Sequence, residues 1–184
     1  LEKNHISAIK NNFIGTLSIL RAIKGLSVNL SIISTDKAVF PKSILGITKR
    51  ASEIVAGNFS KQFDYKKAKI NIVRFGNVFG SQGSAIETFV DQIKNKKEIT
   101  ITSYNMKRYF MSIREACNLV IQSSALEFKD KIFILEMGKQ IKIIDLIKKI
   151  LNFYKNDYMD YKIKHIGPRK GEKNSEILSY TSKS

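Results

Sequence analysis

The sequence predicts an α/β fold organised around a parallel sheet, and three observations lead there. Short apolar runs of strand length, at residues 30–33, 70–75 and 132–135, are separated by longer stretches in which apolar residues return at helical spacing. Alternation of that kind implies βαβ units, in which each parallel strand is reached through a crossover helix. The first run passes straight into a polar tetrad, Ser34, Thr35, Asp36 and Lys37. In an open α/β sheet the C-terminal end of a strand is where ligands and reacting groups collect.

Each element has a local justification. Ile9, Phe13, Leu17 and Leu20 fall on one face of a helix expected over residues 6–23. Residues 30–33 read as a buried strand. Pro41 and Ser43 are start signals for a helix over residues 43–63, and a second strand at 70–75 is closed by Gly76. After Gly83 the pattern changes to a helix at 85–95, a short strand at 98–102, a polar loop at 103–108 and a helix at 113–126. A strand at 132–135, a helix at 141–154 and a strand at 161–166 complete the chain. Residues 1–84 are therefore expected to form the sheet domain with its functional strand and helix. Residues 85–184 are expected to form mainly a smaller lobe, interleaved with the last sheet elements.

At 184 residues, 43% of them hydrophobic and with a mean hydropathy of −0.17, the chain is long enough and apolar enough for a good-sized core. No run approaches the roughly 18 apolar residues of a membrane span, so no membrane contact is expected from this segment. Cys117 has no partner for an internal disulfide; its neighbours Ala116, Leu119 and Val120 suggest a buried, inert thiol. The net charge of +16 invites a nucleic-acid reading. Against it, the cations are 26 lysines and only 6 arginines, spread along the whole chain with no nucleic-acid-binding signature. No nucleic-acid partner and no metal site are expected.

The blocks that carry chemistry are STDKA at 34–38, GITKRASEIVAG at 46–57, RFGNVFGSQGS at 74–84, KRYFMSIREA at 107–116 and GPRKGEK at 167–173. In this order they resemble the extended short-chain dehydrogenase/reductases that act on nucleotide sugars, and most closely the UDP-N-acetylglucosamine 4,6-dehydratases of polysaccharide and flagellin-glycan synthesis. The likeness runs from about residue 12 to the end. It implies the C-terminal part of a Rossmann-type parallel sheet with a smaller substrate-binding lobe. Such enzymes carry a Gly-rich turn whose following helix receives a dinucleotide pyrophosphate. None of the ten glycines forms that turn, so the chain is expected to be the C-terminal part of a longer protein.

The resemblance implies NADP or NAD as cofactor and a UDP-N-acetylhexosamine as substrate. It implies Asp36 as the acid and Lys37 as the base of a dehydration across C5 and C6, with Ser34 and Thr35 contacting the hexose. An acid and an amine side by side can divide those tasks. Lys49 is implied to bind the nicotinamide ribose and Val78 to lie against the nicotinamide. In the short-chain pattern a Tyr stands four residues before that Lys, on the same helix face; here the position is Leu45. Leucine cannot exchange a proton, a departure shared with the long, membrane-attached branch of the dehydratases. Asn77 and Arg108 are implied to hold the diphosphate, with Arg169 and Glu172 closing over the UDP end, since Arg forks match phosphate oxygens in a way Lys does not. Arg74, beside Phe75 at a strand end, is open to a structural role. Gln82 stands where the family commonly has Arg.

The expected function is thus a nucleotide-sugar 4,6-dehydratase, a lyase of surface polysaccharide or glycan biosynthesis. The alternatives are a UDP-sugar 4-epimerase and a non-catalytic sugar-nucleotide-binding module. A homo-oligomer is expected, in the cytoplasm or on the cytoplasmic face of the inner membrane.

Overall fold

The computed structural model describes residues 2, 4–62, 64, 66–81, 84–126, 131–154 and 161–180. The chain divides into two compact units that alternate along the sequence, the first formed by residues 1–76, 116–136 and 177–184 and the second by residues 77–115 and 137–176. It opens in the first unit with helix α1 (His5–Ala8), a π-helical turn (Ile9–Ile14) and α2 (Gly15–Ala22). Strand β1 (Asn29–Thr35) runs into a 3-10 turn (Asp36–Ala38), α3 (Ile44–Ser60) and β2 (Lys69–Phe75). The second unit follows with β3 (Asn77–Phe79), α4 (Ala85–Lys94), β4 (Ile99–Ile101), β5 (Lys107–Arg108) and β6 (Phe110–Ser112). Helix α5 (Ile113–Ala125) leads into the first unit's β7 (Ile132–Ile134); β8 (Ile141–Lys142), α6 (Ile143–Phe153) and β9 (Ile163–His165) belong to the second.

The first unit is a parallel sheet in the order β1, β2, β7, as the alternation of strand and helix predicts. Leu30 lies opposite Ile70, and Ile32 opposite Ile72. These four pack with Leu20 of α2 and Ala56 of α3 in one core. The same face carries Ser34 and Arg74 two residues further on, which turns the functional end of β1 toward α3.

The helix expected over residues 6–23 contains a π-helical turn that periodicity did not announce. Asn12 sits inside it, and its groups are engaged with α3: its amide donates to Thr48 Oγ1 at 3.0 Å, and its carbonyl accepts from Ser52 Oγ at 2.7 Å and Thr16 Oγ1 at 2.6 Å. Helix α3 begins where Ser43 caps it, Oγ accepting from Gly46 N at 3.1 Å. Its expected end, Phe63, lies outside the described residues.

The second unit pairs its short strands in twos: β3 with β6 and β4 with β9 in parallel, β5 with β8 antiparallel. Phe89 and Ile93 of α4, Ile99 and Ile101 of β4, Met106, and Ile147 and Leu151 of α6 close one core. Strand β3 takes its partner from β6 and belongs to the second unit, which begins at residue 77.

Cys117 is exposed, which corrects the expectation of a buried thiol. Only Ala116 and Ser123 of α5 are buried, seven residues apart on one narrow face, and Cys117 is turned about 100° from it. Among the described residues no helix is long and apolar enough to cross a membrane.

Candidate active site

In the first unit, the end of β1 and the turn after it hold a fully buried carboxylate. Asp36 is 0% exposed, and its Oδ1 accepts from Thr35 Oγ1 at 2.9 Å and from Lys37 Nζ at 2.9 Å. Its Oδ2 is equally buried and has no hydrogen-bond partner among the described residues. Leaving a buried carboxylate oxygen unpaired costs free energy, so Oδ2 is open to a further hydrogen-bond donor, whether water or a ligand. The turn is held from three sides. Thr35 Oγ1 accepts from Lys37 N at 3.4 Å, Tyr180 donates its hydroxyl to Ala38 O at 3.2 Å, and Gly46 brings the first turn of α3 against the Lys37 carbonyl.

Lys49 projects from α3 toward the same strand and donates to Ile33 O at 3.0 Å. Burial penalises its charged form and lowers its pKa below the ordinary 10.5. An ammonium has three donors, and the Ile33 contact uses one, which leaves hydrogen-bonding capacity for a ribose. Leu45 lies one helical turn before Lys49, half-buried, with no group that can exchange a proton.

Ser34, expected to contact a hexose, faces α3. It is buried, and its hydroxyl donates to Glu53 Oε1 at 2.6 Å. Glu53 also accepts from Arg74 Nε at 2.7 Å, from Arg74 Nη2 at 2.6 Å and from Arg50 Nη1 at 2.9 Å. Of the two roles open to Arg74, the structural one is therefore observed. The Tyr180 ring lies 5.1 Å from the Arg50 guanidinium and 5.5 Å from that of Arg74, and meets Phe40 edge-on at 4.9 Å. Phe40 holds a φ of 44°, a conformation uncommon for a residue with a side chain.

Sequence reasoning missed Glu53 and Tyr180. Glu53 follows Lys49 by one helical turn, so its spacing was visible. Tyr180 is 142 residues from Ala38, and nothing local connects them.

Burial alone would raise the Glu53 carboxyl, but the hydrogen bonds from Arg74, Ser34 and Arg50 and the charge of Arg74 outweigh it and hold it below its ordinary 4.5. A depressed carboxylate contributes stability above its unfolded-state value and loses it as the pH falls through the folded-state value. The urea midpoint of the wild type should therefore drop as the pH is lowered from 4.5, and Glu53→Gln should flatten that part of the curve. An unchanged slope in the variant would show that the cluster does not govern acid unfolding.

In the second unit the pairing of β3 with β6 sets Asn77 opposite Phe110, and Asn77 N donates to Tyr109 O at 3.0 Å. Val78 occupies the middle of β3, half-buried. Arg108 is buried; its Nη1 donates to Lys107 O at 2.8 Å and Asn174 O at 3.2 Å, and its Nη2 lies 3.7 Å from Glu172 Oε1. Glu172 Oε2 accepts from Arg169 N at 3.0 Å, while the Arg169 side chain stands exposed. The turn needs its glycines: Gly167 and Gly171 both hold φ near +77°. Glu172 thus joins the Arg108 side chain, 64 residues earlier, to the backbone of the turn at Arg169. Gln82 lies outside the described residues.

A profile of the family described as polysaccharide biosynthesis proteins matches residues 1–184. The chain belongs to that family. Its member CapD of Staphylococcus aureus, a capsular polysaccharide biosynthesis protein, is 41% identical over 179 residues, covering 97% of this chain and 30% of CapD. The X-ray structure of Pen from Bacillus thuringiensis superposes with a TM-score of 0.87 at 30% identity, over 96% of this chain and 55% of Pen. The dTDP-glucose 4,6-dehydratase DesIV of Streptomyces venezuelae, solved with NAD and DAU bound, shares the fold with a TM-score of 0.83 at 16% identity, over 96% of this chain and 60% of DesIV. The chain thus spans only part of the length of the proteins it matches. Its fold is Rossmann-type, and it is shared by solved nucleotide-sugar epimerases as well as dehydratases.

Proposed function

We propose that the protein is a nucleotide-sugar 4,6-dehydratase acting on a UDP-N-acetylhexosamine, with NAD or NADP as cofactor. The single observation that carries this reading is the ion pair of the buried Asp36 with the partly exposed Lys37, in which Asp36 Oδ2 has no hydrogen-bond partner among the described residues. An epimerase needs only oxidation and reduction at C4, whereas elimination of water from C5 and C6 also needs an acid and a base.

A nicotinamide dinucleotide, when bound, supplies the hydride acceptor at C4 and the donor at C6. Lys49, with donors to spare at the end of β1, is the residue of this chain that would hold its ribose, and Val78 would face its nicotinamide. The Asp36–Lys37 ion pair differs from a carboxylic acid beside a neutral amine by one proton moved across a 2.9 Å bond. In the neutral form, Lys37 takes the proton from C5 while Asp36 gives its proton to the departing C6 hydroxyl. Water leaves, a C5–C6 double bond forms, and the original ion pair is restored. Lys37 then gives a proton to C5 as hydride reaches C6, and a proton equivalent to the one released to solvent from the C4 hydroxyl on oxidation restores the pair for the next turnover. Thr35, already bonded to Asp36 Oδ1, would orient the sugar.

For the diphosphate the reading uses Arg108, Arg169 and Asn77, with Glu172 as the tether that holds the arginine group together. Replacing Arg108 with Lys should weaken UDP binding by about 1–3 kcal/mol, the range of hydrogen bonds to charged groups, because an ammonium cannot reproduce the planar fork. Calorimetry with UDP checks this, and Lys148→Ala serves as the surface control that should leave affinity unchanged. The same reading takes the protein as a homo-oligomer, which light scattering of the whole protein tests. The function itself is tested by incubating the whole protein with UDP-N-acetylglucosamine and cofactor. Loss of one water with appearance of a 4-keto-6-deoxy sugar supports it; a C4 epimer of unchanged mass contradicts it.

A further inference from the structure

We propose that Glu53 is a positioning residue: through Ser34 it sets where Thr35, Asp36 and Lys37 stand at the end of β1, with Arg74 and Arg50 as its counter-ions and Tyr180 as its cover. The proposal rests on the dehydratase reading for its catalytic consequence, but its geometric part stands without it.

Three elements of the first unit meet at this carboxylate. Ser34 comes from β1, Arg74 from β2, and Arg50 and Glu53 itself from α3. A carboxylate offers about four lone-pair directions, and four donors fill them: one hydroxyl, two nitrogens of Arg74 in a fork, and one of Arg50. The fork fixes the plane of the carboxylate as well as its distance. Because the Ser34 hydroxyl spends its single proton on Oε1, its oxygen is fixed one residue before Thr35 and two before Asp36. Tyr180 then ties the cluster to the far side of the same turn: its ring lies near both guanidinium groups and its hydroxyl bonds Ala38 O, one residue after Lys37. The reacting residues are thus held on both flanks by one ionic cluster.

Stability alone does not account for such a cluster. Both Glu53 and Arg74 are 2% exposed, and a buried ion pair can often be replaced by apolar residues of similar volume without loss of stability. What an apolar trio would not supply is direction. Misplacing a reacting group by about 1 Å can cost ~10²-fold in rate, so a cluster that fixes the strand end is worth keeping where the chemistry is exacting.

The test replaces the whole pair, Glu53→Leu with Arg74→Met, in the whole protein, so that no buried charge is orphaned. The double variant is expected to keep its unfolding midpoint and to lose amide-exchange protection across residues 34–38. Its kcat should fall about tenfold or more while KM changes little, in line with a misplaced rather than a missing group. A folded double variant that keeps both protection and turnover overturns the proposal. Should the double variant not fold, Ser34→Ala is the deciding arm: it removes only the link to Glu53, and unchanged exchange at residues 34–38 overturns the proposal while faster exchange there sustains it. If the wild type yields no 4-keto-6-deoxy product, the dehydratase reading fails by itself. The exchange measurement then still decides whether Glu53 positions the turn.

Discussion

Replacing Lys37 with Ala should abolish elimination while leaving C4 oxidation at least partly intact, visible as reduced cofactor that accumulates and is not consumed. Lys37 Nζ is bonded to Asp36 Oδ1 at 2.9 Å and is partly exposed, its side chain at 24%, so it can reach both the carboxylate and a ligand. Removing it takes away the proposed base for the C5 proton and the cation paired with Asp36. General acid or base groups contribute roughly 10² to 10⁴ in rate. A loss below about tenfold, or equal loss of oxidation and elimination, would reassign Lys37 to binding or structure.

Gly46→Ala should lower both stability and turnover sharply. By helix propensity alone it ought to stabilise α3 by up to about 1 kcal/mol. A Cβ at this position, however, would stand 2.2 Å from the Lys37 carbonyl oxygen and 3.0 Å from its carbon, with the Pro41 Cβ at 3.2 Å. The obstacle is backbone, so either the first turn of α3 or the Asp36–Ala38 turn must move. Overpacking of this kind costs about 1–3 kcal/mol, and the shift falls on the residues proposed to react. The expected result is a lower unfolding midpoint and near-complete loss of turnover. Gly57→Ala, also in α3 but with nothing within 4 Å of its Cβ, should be neutral or stabilising and provides the control.

Much of this was legible in the sequence, and what was not has physical reasons. The β1–β2–β7 sheet and helices α2 to α6 follow from short apolar runs of strand length alternating with apolar residues at helical spacing. Strands β3, β5, β6 and β8 span two or three residues, too few for any period, and their pairing is set by tertiary contacts. The STDKA block pointed to the strand end, and the structure adds why it is held there: a glycine in the next helix and a tyrosine near the end of the chain. Ser34 illustrates the limit. Its place in the motif suggested a ligand contact, while strand alternation turns it to the face of Arg74 and Glu53. The resemblance implied Arg108 at the diphosphate and Arg169 with Glu172 at the UDP end; the contact of Arg108 with Glu172, across 64 residues, had no local signal in the sequence. Cys117 was misjudged because the apolar residues around it on α5 are themselves only partly covered.

The central claim is that one protein moves hydride from C4 to C6 of a UDP-sugar while Asp36 and Lys37 remove water between those carbons. Turnover of UDP-N-acetylglucosamine deuterated at C4, followed by mass and NMR analysis of the product, tests it most directly. The expected product is a 4-keto-6-deoxy sugar with deuterium in its C6 methyl group. Deuterium retained at C4 in a product that still carries its C6 hydroxyl would contradict it.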